Sequence, residues 1–156
     1  MTAPFNTLAV IEQFLYSKLS GDPVLATLMP PGAFYPRYSP NGVAGIHVIY
    51  QFIGPDGGRA AIPMGQGIGM MEVDYVLTAW NPGQSLQALA PVTMRIQEIL
   101  TGPALRGANF VFTDSFGTGW VIWVRYGGPG IVAPETNPAW QPSADIYRIN
   151  LRQNAA

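Results

Sequence analysis

Residues Ile46 to Ile53 form a run that is largely apolar on both alternating faces. Ile46, Val48, Tyr50 and Phe52 share one face; His47, Ile49, Gln51 and Ile53 share the other. Successive side chains of a strand point to opposite sides of its sheet, so such a strand needs cover on both sides. A second run, Met70 to Trp80, sets Met71, Val73, Tyr75, Leu77 and Ala79 opposite Glu72, Asp74, Val76, Thr78 and Trp80. The two runs predict a long antiparallel hairpin. The segment between them, Gly54 to Gly69, includes Gly57, Gly58, Gly65 and Gly67 and follows neither a helical nor an alternating period. Hairpin loops usually hold about two to five residues. A loop this long is expected to be either disordered or ordered by a partner.

Helices flank the hairpin. Leu8, Ile11, Leu15 and Leu19 recur at helical spacing, which predicts an amphipathic helix over Thr7 to Leu19, capped by Asn6 or Thr7 and stopped by Gly21. Asp22-Pro23 restarts a short helical turn, with Asp22 as cap and Pro23 in the first helical position. Val24, Leu25 and Leu28 are expected to tuck that turn under the core. Phe34 to Gly45 reads as extended and irregular, broken by Pro36, Pro40 and Gly42. Ser85 to Leu100 is the second main helix, with Leu86, Leu89, Met94, Ile96, Ile99 and Leu100 apolar. Pro91 either kinks it or marks its true start, with Ala90 outside. Asn109 to Thr113 and Gly119 to Tyr126 are short strands about a turn at Asp114 to Gly117. Gly127 to Ser143 is a Pro/Gly loop, and Asp145 to Leu151 a last strand with Tyr147, Ile149 and Leu151 on one face. The expected fold is α+β: an antiparallel sheet with the long hairpin, and two main helices packed on one face. One domain is expected over 1–156, with irregular loops at 54–69 and 127–144.

Candidate chemistry is sparse. His47 is the single histidine and there is no cysteine, so neither a usual zinc site nor a thiolate nucleophile is available. His47 is expected to be a strand residue holding one hydrogen bond. Glu72 and Asp74 lie about 7 Å apart on one strand face. Such a pair can transfer protons or bind a cation; it is also what a solvent- or partner-facing strand edge looks like. Gly65-Gln66-Gly67-Ile68-Gly69 resembles half of a nucleotide loop, but a strand follows it where a helix is required. Ser115 lacks a nucleophile-elbow context. Trp120, Trp123 and Tyr126 beside Arg125 could stack bases. Without a basic patch, they read as core or interface. No catalytic residue, cofactor or metal site is assigned.

Charge gives the positive clue. Charged residues are 11% of the chain and apolar residues 48%, with a formal net charge of -1. Soluble domains carry about 25% charged residues, and surface charge keeps free monomers apart. Much of this surface is therefore expected to be covered by partner chains, the alternative being a merely neutral Gly/Pro-rich surface. Nothing attracts the chain to nucleic acid or anionic membrane. Met1 to Asn6 has no basic segment leading into an apolar run, and no stretch reaches roughly 18 apolar residues, so neither a signal peptide nor a membrane helix is expected. Around the long hairpin, Ile62, Met64, Ile68 and Met70 are the expected apolar anchors, because methionine adapts to irregular contacts. Arg59 is the expected polar contact, able to grip a carboxylate in two places.

The order of elements carries a resemblance. A first helix leads to Asp22-Pro23-Val24-Leu25-Ala26-Thr27-Leu28, then to Ala33-Phe34-Tyr35-Pro36 and the strand Ile46-His47-Val48-Ile49-Tyr50. The long hairpin, a strand closing on Thr78-Ala79-Trp80, a second helix and the strand Tyr147-Arg148-Ile149-Asn150-Leu151 follow. This arrangement, over roughly residues 6–152, resembles the tail terminator, or tail-completion, proteins of long-tailed bacteriophages. The resemblance implies a homo-hexameric ring in the virion, assembled in the host cytoplasm, that caps the tail tube and joins it to the neck below the head. It implies a tail tube protein and a neck, stopper or connector protein as partners, and DNA that crosses the lumen without being read in sequence. It implies no membrane, cofactor or enzymatic step. A neck or head-completion role in the same particle is the nearest alternative. A small enzyme or ligand-binding module is a more distant one, which lost activity on changing His47, Glu72 or Asp74, with assembly intact, would favour.

Overall fold

The computed structural model describes residues 7–38, 40, 43–53, 62–64, 68–82, 86–102, 110–114, 117–130 and 142–155. Helix α1 (Thr7–Ser20) and the short α2 (Leu25–Leu28) lead into β1 (Phe34–Pro36) and β2 (His47–Phe52). β3 (Ile62–Met64) and β4 (Ile68–Trp80) follow, then a 3-10 turn at Leu86–Ala88, α3 (Ala90–Thr101), β5 (Phe110–Asp114), β6 (Gly117–Pro129) and β7 (Ser143–Ala155). The strands make one sheet in the order β1-β2-β4-β7-β6-β5, with β3 pairing the first residues of β4. The fold is α+β and the sheet mostly antiparallel. One pair departs from that expectation: β1 runs parallel to β2, with Phe34 opposite Val48. The irregular stretch before Ile46 thus hides a strand, too short and too proline-rich to show alternation.

Alternation along β4 and β7 sorts their residues between two faces. Val73, Tyr75, Leu77, Ala79, Tyr147 and Ile149 join Val48 and Phe34 in one core with Ile11, Phe14, Leu15 and Leu19 of α1 and Val92, Ile96 and Leu100 of α3. α3 also packs on β6 and against α1 and α2, so the helices form a layer on one side of the sheet. Burying an aliphatic or aromatic side chain of this size stabilises the fold by about 1.5–3 kcal/mol. That burial pushes the Tyr50 hydroxyl up to about 12, with the Glu12 carboxylate and Tyr16 adding to it. Burial raises the Tyr75 and Tyr147 hydroxyls further in the same direction.

Several local readings are corrected. Val24 is 42% exposed, whereas Leu25 is buried and Leu28 partly so; in so short a helix only one side can turn inward. Met94 is 63% exposed on the outer side of α3, and Val92 takes its place in the core. α3 begins at Ala90 and carries Pro91 in its first turn, where no donor is lost. Residues 62–64 and 68–69, read as loop, are paired strand: Ile62 faces Met70 and Met64 faces Ile68. Glycine and Pro63 masked that alternation. β6 reaches Pro129, three residues into the expected loop. A register shift between Tyr126 and Gly128 occurs there, and Gly128 has a φ of 113 that other residues avoid. The caps proposed at Asn6 and Thr7, the turn residues Ser115 and Phe116, and all of 131–141 lie outside the described residues or side chains.

A charged clasp joins the helices. The Asp22 carboxylate accepts from the backbone N–H groups of Val24 and Leu25 at 3.1 and 2.9 Å. It also accepts from Nε and Nη2 of Arg95 on α3, at 3.1 and 2.7 Å. The guanidinium and those amides hold Asp22 below the ordinary carboxylate value of 3.8. A depressed carboxyl stabilises the fold above its unfolded value and stops doing so as pH falls through the folded one. Asp22→Asn should keep the cap and lose the ion pair; Asp22→Ala should lose both and cost about 1–2 kcal/mol. Denaturant melts across pH should show the wild-type advantage over Asp22→Asn shrinking as pH drops below 3.8. An advantage unchanged in acid would refute the clasp.

Candidate functional site

The face of the sheet turned away from the helices carries most of the polar residues singled out in the sequence. β4 contributes Glu72 and Asp74, β7 contributes Arg148, and β2 contributes His47. Asp74 stands directly opposite Arg148 across the β4–β7 ladder. Arg148 grips it with two near-parallel bonds, Nε to Oδ1 at 2.8 Å and Nη2 to Oδ2 at 3.0 Å. The same Nε lies 3.3 Å from Glu72 Oε1. Asp74 is buried at 4% exposure despite facing away from the helices. The paired carboxylates are therefore not on a sheet edge: β4 is central, between β2 and β7.

This geometry argues against acid-base work. Both Asp74 oxygens are already engaged by a guanidinium, so taking up a proton means breaking a charge-assisted pair. Among the described residues no group of three or more His, Asp or Glu is placed to hold a metal ion. His47 is 1% exposed, and its Nδ1 donates to the Gly45 carbonyl at 3.1 Å. That is the single structural hydrogen bond expected of it. Its ring meets Tyr35 edge-on, at 6.2 Å between centroids. His47 sits opposite Trp80 in the β2–β4 register, several residues along the sheet from Glu72 and Asp74. The structure does not gather the three into one constellation.

Cover on this face comes partly from the chain itself. A Cβ on Gly130 would lie 3.0 Å from side-chain atoms of both Val76 and Ala144, so a larger residue there would press on both. Val76 and Ala144 are buried beneath it.

The anticipated docking residues fall at the other end of β4. The register puts Ile62, Met64, Ile68 and Met70 on one face of the β3–β4 ribbon, two facing pairs in succession. β4 continues from there along β7, with Ile68 opposite Asn154 and Met70 opposite Arg152. Arg59 lies outside the described residues. The sequence reading missed Arg148 as partner of the two carboxylates. Its position between Tyr147 and Ile149, a charge inside an apolar strand, was the available signal. It also missed Arg37 and Tyr38, which lie exposed just after β1.

No protein-family model matches the chain, and no curated protein does. Among solved structures, it aligns with a chain from the virion of a native gene transfer agent particle. The two share 18% identity at a TM-score of 0.69, over 96% of this chain and 99% of that one. The likeness shows a common fold across nearly the whole of both chains. A second solved chain, at 11% identity and a TM-score of 0.49 over 97% of this chain, is too distant to carry an argument.

Arg148→Met should leave Asp74 buried without its countercharge. Because Arg148 remains about one-third exposed, the cost should be about 2–3 kcal/mol, somewhat less than for a fully buried pair. Asp74→Leu in the same chain should recover most of that loss, as measured by chemical denaturation. Equal instability of the single and double variants would show that the pair is not the source.

Proposed function

We propose that this chain is a structural protein of a phage-like virion, and that within it the chain is the ring that caps the tail tube and joins the tail to the neck. The observation that carries the reading is the fold shared with a chain of a gene transfer agent virion, from nearly one end to the other of both. The order of elements that resembles tail terminators narrows it to the cap. A single domain over 1–156 fits a subunit of this kind. A closed ring buries two unlike sides of every subunit, which suits a surface with so little charge. On this reading the copies form a homo-hexamer. The tail tube protein lies on one side, the neck, stopper or connector protein on the other, and DNA passes through without base contacts. The chain performs no reaction and needs no cofactor, and the Glu72–Asp74–Arg148 cluster is structural. Its place is the virion tail, reached by assembly in the host cytoplasm.

The β3–β4 ribbon is the proposed docking element, with Ile62, Met64, Ile68 and Met70 on one face and Arg59 nearby as its polar contact. Side chains that share a ribbon face can enter one apolar groove of a neighbouring ring.

A particle-forming strain lacking this protein should make heads and tails that do not join, with tails of uncontrolled length in electron micrographs. Unjoined tails of normal length would move the role to the neck, and normal joined particles would end the virion reading. Deleting Ala60 to Gly67 should leave a folded protein whose particles lose infectivity. Normal yield and infectivity from that deletion would remove the ribbon from the docking surface while leaving the ring in place.

A further inference from the structure

A tight hairpin turn of about two to five residues fixes the register of the strands it joins. β7 has no such turn. The connection from β6 to β7 runs over residues 130–142, and α3, β5 and β6 stand between β4 and β7 in the chain. The apolar face leaves the register open as well. A slip of one residue exchanges the two faces of β7, but a slip of two keeps them. Moved by two in one sense, Tyr147 comes opposite Leu77 and Ile149 opposite Tyr75; in the other sense, Tyr147 comes opposite Val73. All of these residues are apolar and buried in the native sheet. The β6 side constrains β7 less strictly. That ladder shifts register between Val121 and Trp123 and again between Tyr126 and Gly128, and it sets Arg125 opposite Arg148. Like charges directly opposite repel.

The charged residues tell the registers apart. In the native one Arg148 stands opposite Asp74 and bonds it at 2.8 and 3.0 Å, with Glu72 at 3.3 Å. A slip of two in one sense sets Arg148 opposite Val76 and Asp74 opposite Asn150. In the other sense Arg148 comes opposite Glu72 and Asp74 opposite Ile146. In both, Asp74 loses the guanidinium directly across from it, which offsets the burial of its charge.

We propose that the Glu72–Asp74–Arg148 cluster is the register lock of the sheet. It selects one alignment of β7 on β4 from several that the apolar face accepts. Buried ion pairs often stabilise a fold no more than apolar replacements do, and fixing a register is the best-attested reason to keep one. The alignment matters beyond the cluster, because the same ladder sets Asn154 opposite Ile68 at the base of the β3–β4 ribbon. The inference holds whichever partner that ribbon meets.

The chain has no cysteine, so introduced pairs report the register directly. Residues directly opposite come within reach of a disulfide, whereas diagonal ones, about 7–8 Å apart, do not. Thr78→Cys with Ala144→Cys reads the native register. Thr78→Cys with Ile146→Cys reads a slip in one sense, and Val76→Cys with Ala144→Cys a slip in the other. Each pair is placed in the wild-type chain and in two unlocked backgrounds, then oxidised with glutathione disulfide. One background is Arg148→Met with Asp74→Leu. The other is Glu72→Gln with Asp74→Asn, which keeps side-chain size and removes the charge. The wild-type chain should link the native pair alone. An unlocked background should link a diagonal pair at least about tenfold more than wild type does, the change given by one strong charged contact. Diagonal pairs that stay at the wild-type level in both backgrounds, with the native pair still linking, would overturn the proposal. Loss of folding in both would mark the cluster as a source of stability alone and overturn it too. Diagonal linkage in the wild-type chain equal to native linkage would do the same.

Discussion

β7, the last strand of the chain, lies in the middle of the sheet. It pairs with β4 from Ile68–Asn154 to Ala79–Ser143 and with β6 along its other side. β4 and β6 have no ladder to each other, so among the described residues the β1–β4 half and the β5–β6 half of the sheet are joined by strand pairing only through β7. The closure spans a large part of the chain, and its entropic cost comes before the contacts that offset it. Tyr147 and Ile149, both fully buried, are the residues that β7 brings to the core. The helix layer depends on the same closure, because α3 packs on β6 as well as on α1.

The two faces of that sheet solve different problems. The helix-covered face is apolar and needs no charge. The other face buries Asp74 and His47, and each has a specific partner: two bonds from Arg148, and the Gly45 carbonyl. An ionised carboxylate at 4% exposure is tolerable only with such a countercharge. Glu72 and Asp74 on β4 are tied to β7 through Arg148. The Asp22–Arg95 clasp does for α2 and α3 what Arg148 does for the strands.

Among the described residues, the β3–β4 ribbon extends beyond this core as paired extended backbone. Extended backbone of that kind suits recognition between protein chains. A chain with 11% charged residues has little to keep such surfaces apart in solution. Covered surfaces in an assembly are the state in which its composition makes physical sense.

By itself the sequence determined the α+β class, the α1 face of Ile11, Leu15 and Leu19, the inward run Val73 to Ala79, and the Asp22 cap. Each is a local pattern: a helical period, a strand period, or a carboxylate two residues ahead of free amides. Tertiary structure alone decided the parallel β1–β2 pair, the ribbon inside the glycine-rich segment, and the central place of β7. Those depend on pairings between segments far apart in the chain, which leave no local period to read. The fate of Glu72 and Asp74 was decided the same way. Alternation placed them on one face, but only the β4–β7 register set Arg148 opposite Asp74 and so engaged the carboxylates in ion pairs with it.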